Sequence, residues 1–204
     1  MFVNRNLPMN SAKEAPFLYR CATVSIDARA SRAATALAEQ DCAEAGLDMA
    51  EIGVVGAETM AHAGSDVERV LQACAHVLGL PVDDAQLVYC EWASAHVDED
   101  HAHSVFVNVV LATGPEPYCI QALASPARRG QQLRETRRIV RVGDAFVLDP
   151  CVAHLAAPAN PCDRALLVLA QWSLPGATAQ ARAEVRRRFP ALPNDSHQSS
   201  LLDF

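Results

Sequence analysis

The stretch that decides the fold starts at Ala95-His96-Val97-Asp98, continues as Glu99-Asp100-His101-Ala102-His103 and opens into the apolar run Ser104–Leu111. It resumes at Gly143-Asp144-Ala145-Phe146-Val147-Leu148-Asp149-Pro150, then Ala153-His154, then Asp163-Arg164-Ala165-Leu166-Leu167-Val168-Leu169. Side chains on a strand repeat with period two, so His96 and Asp98 share a face if the chain is extended there. Two imidazole nitrogens and one carboxylate on one face of an ion, with the other positions open, form the 2-His-1-carboxylate arrangement of non-heme Fe(II) sites. His96, Asp98 and His154 can supply it. Arg164 adds a fixed planar cation suited to an acidic co-substrate.

Outward from that stretch the pattern is helices first, strands second. From Gln86 on, short apolar runs separated by Gly, Pro and Asp cover 86–92, 104–111, 117–123, 137–142, 145–149 and 164–172. Such spacing predicts an antiparallel sandwich or barrel. Before it, residues 20–26 read as a short strand. Ser31 to Ala45 is rich in helix formers and is stopped by Gly46. Ser65 followed by Glu68 has the capping-box pattern, and Val67, Val70, Leu71, Cys74, Val77 and Leu78 recur at helical spacing until Gly79 and Pro81. Pro175 ends the strands, Thr178–Phe189 reads as a closing helix, and Pro190 onward reads as a mobile tail. The expected class is mainly β with flanking helices, a jelly roll. Residues 1–174 form one domain (helical flank 1–85, core strands 86–174), and 175–204 add a helix and tail.

The 204 residues suffice for one domain with a substantial core. A net charge of −7 disfavours nucleic acid as the principal partner, since phosphate binding needs a basic footprint. Arg182 and Arg186-Arg187-Arg188 read as the solvated face of a helix. The first residues lack a secretory layout and no run reaches membrane-spanning length, so a cytoplasmic location is expected. The seven cysteines contain no CxxC pair and suit packing; Cys151, close to His154, is the one with a possible place at a pocket.

The pattern His96-x-Asp98, distal His154 and Arg164 resembles the Fe(II)/2-oxoglutarate-dependent oxygenases, whose core is a double-stranded β-helix. The resemblance covers about residues 86–173. The span from Asp98 to His154 leaves room for the intervening strands, and Gly143–Asp149 looks like the family's segment leading to the distal His. It implies Fe(II) held by His96, Asp98 and His154, with 2-oxoglutarate on the metal and its far carboxylate on Arg164. It also implies consumption of dioxygen to give succinate, CO₂ and an oxidised substrate, expected to be a small molecule. One departure is Leu166, where the family often has Ser or Thr. The second hydrogen bond to the co-substrate then falls to Ser104, Asn108 or Tyr118, with Tyr118 preferred. Phe106, Asn108 and Val110, or the alternate set, line the pocket.

Other readings stand beside this one. His101-Ala102-His103 can be read as the HxH of a cupin, which weakens because Ser104 to Thr113 contains no acid. A jelly-roll metalloprotein with Zn²⁺ or Ni²⁺ and non-oxygenase chemistry, or an inactive binding protein, are the alternatives in function. The plainest reading makes the cluster a polar loop and pairs Arg164 with Asp163 or Asp149. Close-packed acids repel unless solvated or neutralised, which counts against it. Trp92 reads as core or pocket wall, and His62, His76 and His197 as surface. The segments 53–66 and 113–135 read as pocket covers, with the basic run Arg128 to Arg134 as a solvated loop.

Overall fold

The computed structural model describes residues 18–46, 52–124, 134–160 and 165–193. Its strands are β1 (Leu18–Thr23), β2 (Gly53–Val54), β3 (Gln86–Cys90), β4 (Ala93–His96), β5 (Ser104–Ala112), β6 (Tyr118–Ala124), β7 (Arg134–Val140), β8 (Asp144–Leu148), β9 (Ala153–Pro158) and β10 (Leu167–Pro175). Helices are α1 (Ala28–Ala45), α2 (Ala57–Ala61), α3 (Ser65–Leu78) and α4 (Ala179–Arg188). The larger sheet has the order β1-β8-β5-β10-β3-β2 and the smaller β4-β9-β6-β7. Every pairing is antiparallel. From β3 to β10 the chain passes back and forth between the sheets, so the core is a jelly roll of the double-stranded β-helix type.

The alternation on β5 divides the interior. Val105, Val107, Val109 and Leu111 join a buried cluster with Ala34, Leu37, Ala38 and Cys42 of α1 and Val67, Val70, Leu71 and Cys74 of α3. Phe106 and Val110 point the other way, into a second cluster with Tyr118, Ile120 and Ala122 of β6 and Phe146 and Leu148 of β8. The first cluster lies between the larger sheet and the helices, the second between the two sheets. Trp172, fully buried, anchors the first by donating its indole N–H to the Pro81 carbonyl at 2.8 Å.

Local chemistry sets the boundaries. Asp27 caps α1 by accepting from the Arg29 and Ala30 amides, and Gly46 ends it in the left-handed conformation. At α3 the expected cap is displaced by one residue. Gly64 is the N-cap, Ser65 is already helical, and no side chain caps this end. Val77, expected on the apolar stripe, is exposed, as is Trp92, which is 52% exposed in the β3–β4 turn and not core. Gly143 has a positive φ, and a Cβ there would lie 2.4 Å from the Val24 carbonyl oxygen. Only glycine fits this turn into β8.

Several expected bounds move. The early strand is Leu18–Thr23, the run at 137–142 begins at Arg134 and ends at Val140, and the run at 164–172 becomes Leu167–Pro175. The N-terminal flank is not only helical, because β1 pairs with β8 and β2 with β3. The closing helix is found at Ala179–Arg188, capped by Thr178, and Val185 and Phe189 pack into the helix-side cluster. Beyond it the Leu192 amide donates to the Arg20 carbonyl at 2.9 Å, so the first tail residues are held. The rest of the tail, from 194, lies outside the described residues.

Candidate metal centre

Two strands that the apolar pattern does not mark carry the histidines. β4 pairs with β9 so that His96 stands directly opposite His154, with ring centroids 4.3 Å apart. Asp98 lies past the end of β4, so its carboxylate joins the histidines by a turn and not by strand alternation. The Asp98 amide donates to the Pro150 carbonyl at 3.2 Å, tying this turn to the β8–β9 loop. The three ligand atoms then lie within 4.8 Å of one another. The His96 Nε2 is 3.6 Å from one Asp98 oxygen and the His154 Nε2 is 3.4 Å from the other.

Each imidazole is oriented from behind. The Nδ1 of His96 lies 2.6 Å from the Ser94 carbonyl and that of His154 lies 2.9 Å from the Val152 carbonyl. A carbonyl can only accept, so Nδ1 carries a proton, and Nε2 is the atom that faces Asp98, either sharing a second proton with the carboxylate or, once deprotonated, offering its lone pair to an ion. This is how metal-ligating histidines are fixed in tautomer and rotation. Burial alone would raise the Asp98 carboxyl. The hydrogen bond from His154 and the positive character of His154, His96 and His101 outweigh it and hold the group below the usual carboxylate value.

The donor set fits a divalent ion. Ligand atoms about 2.0–2.2 Å from one ion and about 90–110° apart are separated by roughly 2.8–3.6 Å, the range that holds the His96 distance to one Asp98 oxygen and the His154 distance to the other. His154 is buried while His96 and Asp98 are partly exposed, which leaves one side of the group open to solvent.

A support absent from the sequence reading lies behind His154. Arg182 of α4 forms an ion pair with Asp149 and also donates to the Cys151 sulfur at 3.4 Å. Asp149 in turn accepts from the Cys151 amide at 3.1 Å through its side chain and from the Val152 amide at 3.2 Å through its carbonyl. Val152 supplies the carbonyl that orients His154. Arg182 is therefore a bracket on the loop before the distal histidine, not a solvated charge, and Asp149 is its partner. The sequence hint was Asp149-Pro150 just before Ala153-His154.

The other expected residues divide. Arg164, with Asp163 and Cys162, lies outside the described residues. Tyr118 is fully buried between the sheets and its hydroxyl donates to the Glu91 carbonyl at 2.5 Å. His101 packs its ring edge-on to Phe106 at 5.1 Å, and neither it nor His103 belongs to the metal-ligand group among the described residues. His62 and His76 are exposed, as expected, and His197 is not among the described residues. Cys42, Cys74, Cys90 and Cys119 are buried, and burial pushes the Cys74 and Cys90 thiols up to about 12. Cys151 is exposed, its thiol donating to the Ala102 carbonyl at 3.2 Å.

The fold and site together define a jelly-roll protein with a 2-His-1-carboxylate group. No protein-family model matches this chain, and no curated protein matches it. Among solved structures it is similar to the non-heme alpha ketoglutarate dependent epimerase SnoN from nogalamycin biosynthesis, at 15% identity and a TM-score of 0.43, over 89% of this chain and 86% of that one. It is also similar to the carbocyclase SnoK from the same biosynthesis, at 15% identity and a TM-score of 0.43, over 88% of each chain. The non-heme monooxygenase ThoJ in its nickel complex shows 14% identity and a TM-score of 0.43, over 92% of this chain and 87% of that one. Likenesses this distant leave the reading of function to the residues themselves. No helix among the described residues is long and apolar enough to cross a membrane.

Proposed function

We propose that this chain is an Fe(II)- and 2-oxoglutarate-dependent oxygenase acting on a small-molecule substrate. The observation that carries the reading is the convergence of His96, Asp98 and His154, with both Nε2 atoms turned to one carboxylate and both Nδ1 atoms anchored on backbone carbonyls. His96, Asp98 and His154 would hold the metal, and Arg164 would take the far carboxylate of 2-oxoglutarate. When bound, the iron and 2-oxoglutarate supply the oxidising chemistry with dioxygen, giving succinate, CO₂ and an oxidised product. The chain's own part is positional. The Ser94 and Val152 carbonyls fix the imidazoles, the Arg182–Asp149 pair stiffens the loop before His154, and the apolar wall of Phe106, Val110 and Ile120 keeps water from the space between the sheets. Tyr118 remains a candidate for co-substrate contact through its oxygen, although its proton is committed to Glu91.

Anaerobic addition of Fe(II) and then 2-oxoglutarate tests this directly. A weak visible metal-to-ligand charge-transfer band is expected with the wild type and none with Asp98→Ala. Arg164→Lys should keep metal uptake and weaken 2-oxoglutarate, because an ammonium does not reproduce the two parallel bonds of a guanidinium. Metal uptake with neither a 2-oxoglutarate-dependent band nor succinate formation would remove the oxygenase reading and leave a jelly-roll metalloprotein of other chemistry.

A further inference from the structure

Two buried side chains, Asn108 and Tyr19, hold polar atoms without a hydrogen-bond partner among the described residues. Such groups are rare, because leaving one unpaired costs stability. Asn108 is closed in by packing, but Tyr19 borders a cavity on the helix side of the larger sheet. The sheet contributes Tyr19 of β1, its cross-strand neighbour Val147 of β8, and Val105 of β5. Facing them, α4 contributes Arg182, Val185 and Arg186, which share one helix face by their spacing of three and four. Asp149 closes the end nearest the loop before His154. The cavity measures about 20 Å³, where roughly 10–15 Å³ is enough for a single water. It therefore admits a particle of water size or little more.

The lining has more donors than acceptors. One oxygen of Asp149 takes the Arg182 guanidinium and the other the Cys151 amide, so the carboxylate is committed. Burial pushes the Tyr19 hydroxyl up to about 12, against the pull of the Arg186 charge, so the group keeps its proton and donates. Arg186 is partly buried and makes no ion pair with a carboxylate among the described residues. Burial, and then the Arg186 charge, also hold the Arg182 guanidinium below its ordinary value, so the two cations oppose each other. Two guanidinium groups against one carboxylate leave one positive charge beside three valine side chains. A water would accept from Tyr19 but would leave that charge uncompensated.

We infer that this cavity is a binding site for a monatomic anion of the chloride type, held by the Tyr19 hydroxyl and the Arg186 guanidinium. The anion relieves the repulsion between Arg186 and Arg182, leaves Arg182 on Asp149, and seats α4 on the sheet. Phosphate and carboxylic acids are too large for the space.

The test compares melting midpoints of chelator-treated, metal-free protein in sodium chloride and in sodium gluconate at equal ionic strength. Chloride at ten times its dissociation constant should raise the wild-type midpoint by about 3–5 °C. Arg186→Gln should abolish the rise. Tyr19→Phe keeps the ring, should lower chloride affinity roughly tenfold, and should melt no lower than the wild type in gluconate, since it removes an unpaired hydroxyl. Crystals grown in bromide should show an anomalous peak between the Tyr19 hydroxyl and Arg186. Equal wild-type midpoints in the two salts overturn the inference, as does a full chloride response in Arg186→Gln. A gluconate midpoint for Tyr19→Phe well below the wild type also overturns it, because the hydroxyl then already has a partner such as water. Bromide found only at other positions does the same.

Discussion

The two faces of the larger sheet have been given opposite tasks. Toward the helices, β5 presents Val105, Val107, Val109 and Leu111 to a mainly apolar cluster, whose margins hold the buried Asp41 carboxylate on Tyr89 and the Tyr19 hydroxyl. Toward the smaller sheet the same strand presents Phe106, Asn108 and Val110, and the space beyond also contains Arg138 and ends at His96, Asp98 and His154. One face is built mainly for packing, although it too buries the Tyr19 hydroxyl without a partner among the described residues. The other tolerates an orphaned amide and a crowded carboxylate, which packing alone does not explain. The difference teaches that stability and site can be perturbed separately in this molecule, and each prediction below tests that separation.

The largest effect belongs to the helix face. Trp172→Ala removes a fully buried indole together with its bond to Pro81, and should cost about 3–5 kcal/mol of unfolding free energy by denaturant titration. The protein that remains folded should still take up one metal ion. Loss of metal at full folding would break the separation.

Next comes the metal itself. An ion that binds only the folded chain stabilises it by mass action, about 2.7 kcal/mol at a hundred times its dissociation constant. Added Mn(II) or Ni(II) should therefore raise the wild-type melting midpoint, and a chelator should reverse the rise. His96→Ala and Asp98→Ala should abolish the response while their metal-free midpoints stay near wild type. If these variants melt well below the wild type without metal, the triad is a structural network and not a ligand set.

The separation was only half legible in the chain. β5 and β8 are rich in Val and Phe, and their apolar runs marked them. β4, read as Ala93-Ser94-Ala95-His96, and β9, read as Ala153-His154-Leu155-Ala156-Ala157-Pro158, contain no β-branched or aromatic residue to mark a strand. They are strands because they pair with each other and because β6 holds β9 on its other side, a tertiary cause that local pattern does not display. The histidines were visible as chemistry before their strands were visible as structure. The capping box at Ser65 failed for a different reason: Gly64 already had the extended backbone a cap needs, so the helix began one residue early. Arg182 was missed because only Asp149 hinted at the bracket, and the two lie 33 positions apart in sequence.

A smaller effect comes from a buried carboxylate that links helices to sheet. One oxygen of Asp41 accepts from the Gly56 amide and the Thr59 hydroxyl, each at 2.8 Å, and the other from the Tyr89 hydroxyl at 3.0 Å. Burial opposes its charge, yet these three donors prevail and hold the carboxyl below its ordinary value. A lowered folded value stabilises the fold fully above the unfolded value and loses that contribution as pH falls through the lowered one. Asp41→Ala should cost about 1–3 kcal/mol at neutral pH, by stranding the donors. The wild-type advantage over Asp41→Ala should shrink in acid below about pH 4, the ordinary carboxylate range. An advantage independent of pH would mean that packing, not charge, carries it.

The smallest effect is the one that joins the two regions. Thr178 caps α4 by accepting from the Ala181 amide at 3.1 Å, and α4 carries Arg182 onto Asp149 behind His154. Thr178→Ala should cost about 1 kcal/mol, the usual value of a lost cap. The loosened first turn should also let the Asp149–Val152 loop shift, and supports behind metal ligands typically matter by tenfold or more when removed outright. A frayed cap only weakens this one, so metal affinity should fall by about two- to threefold. Arg182→Ala, which removes the bracket entirely, should lower metal affinity further without lowering stability in proportion. If both variants lose stability and keep full metal affinity, the α4 bracket belongs to the packing face alone and the loop before His154 is held by β9.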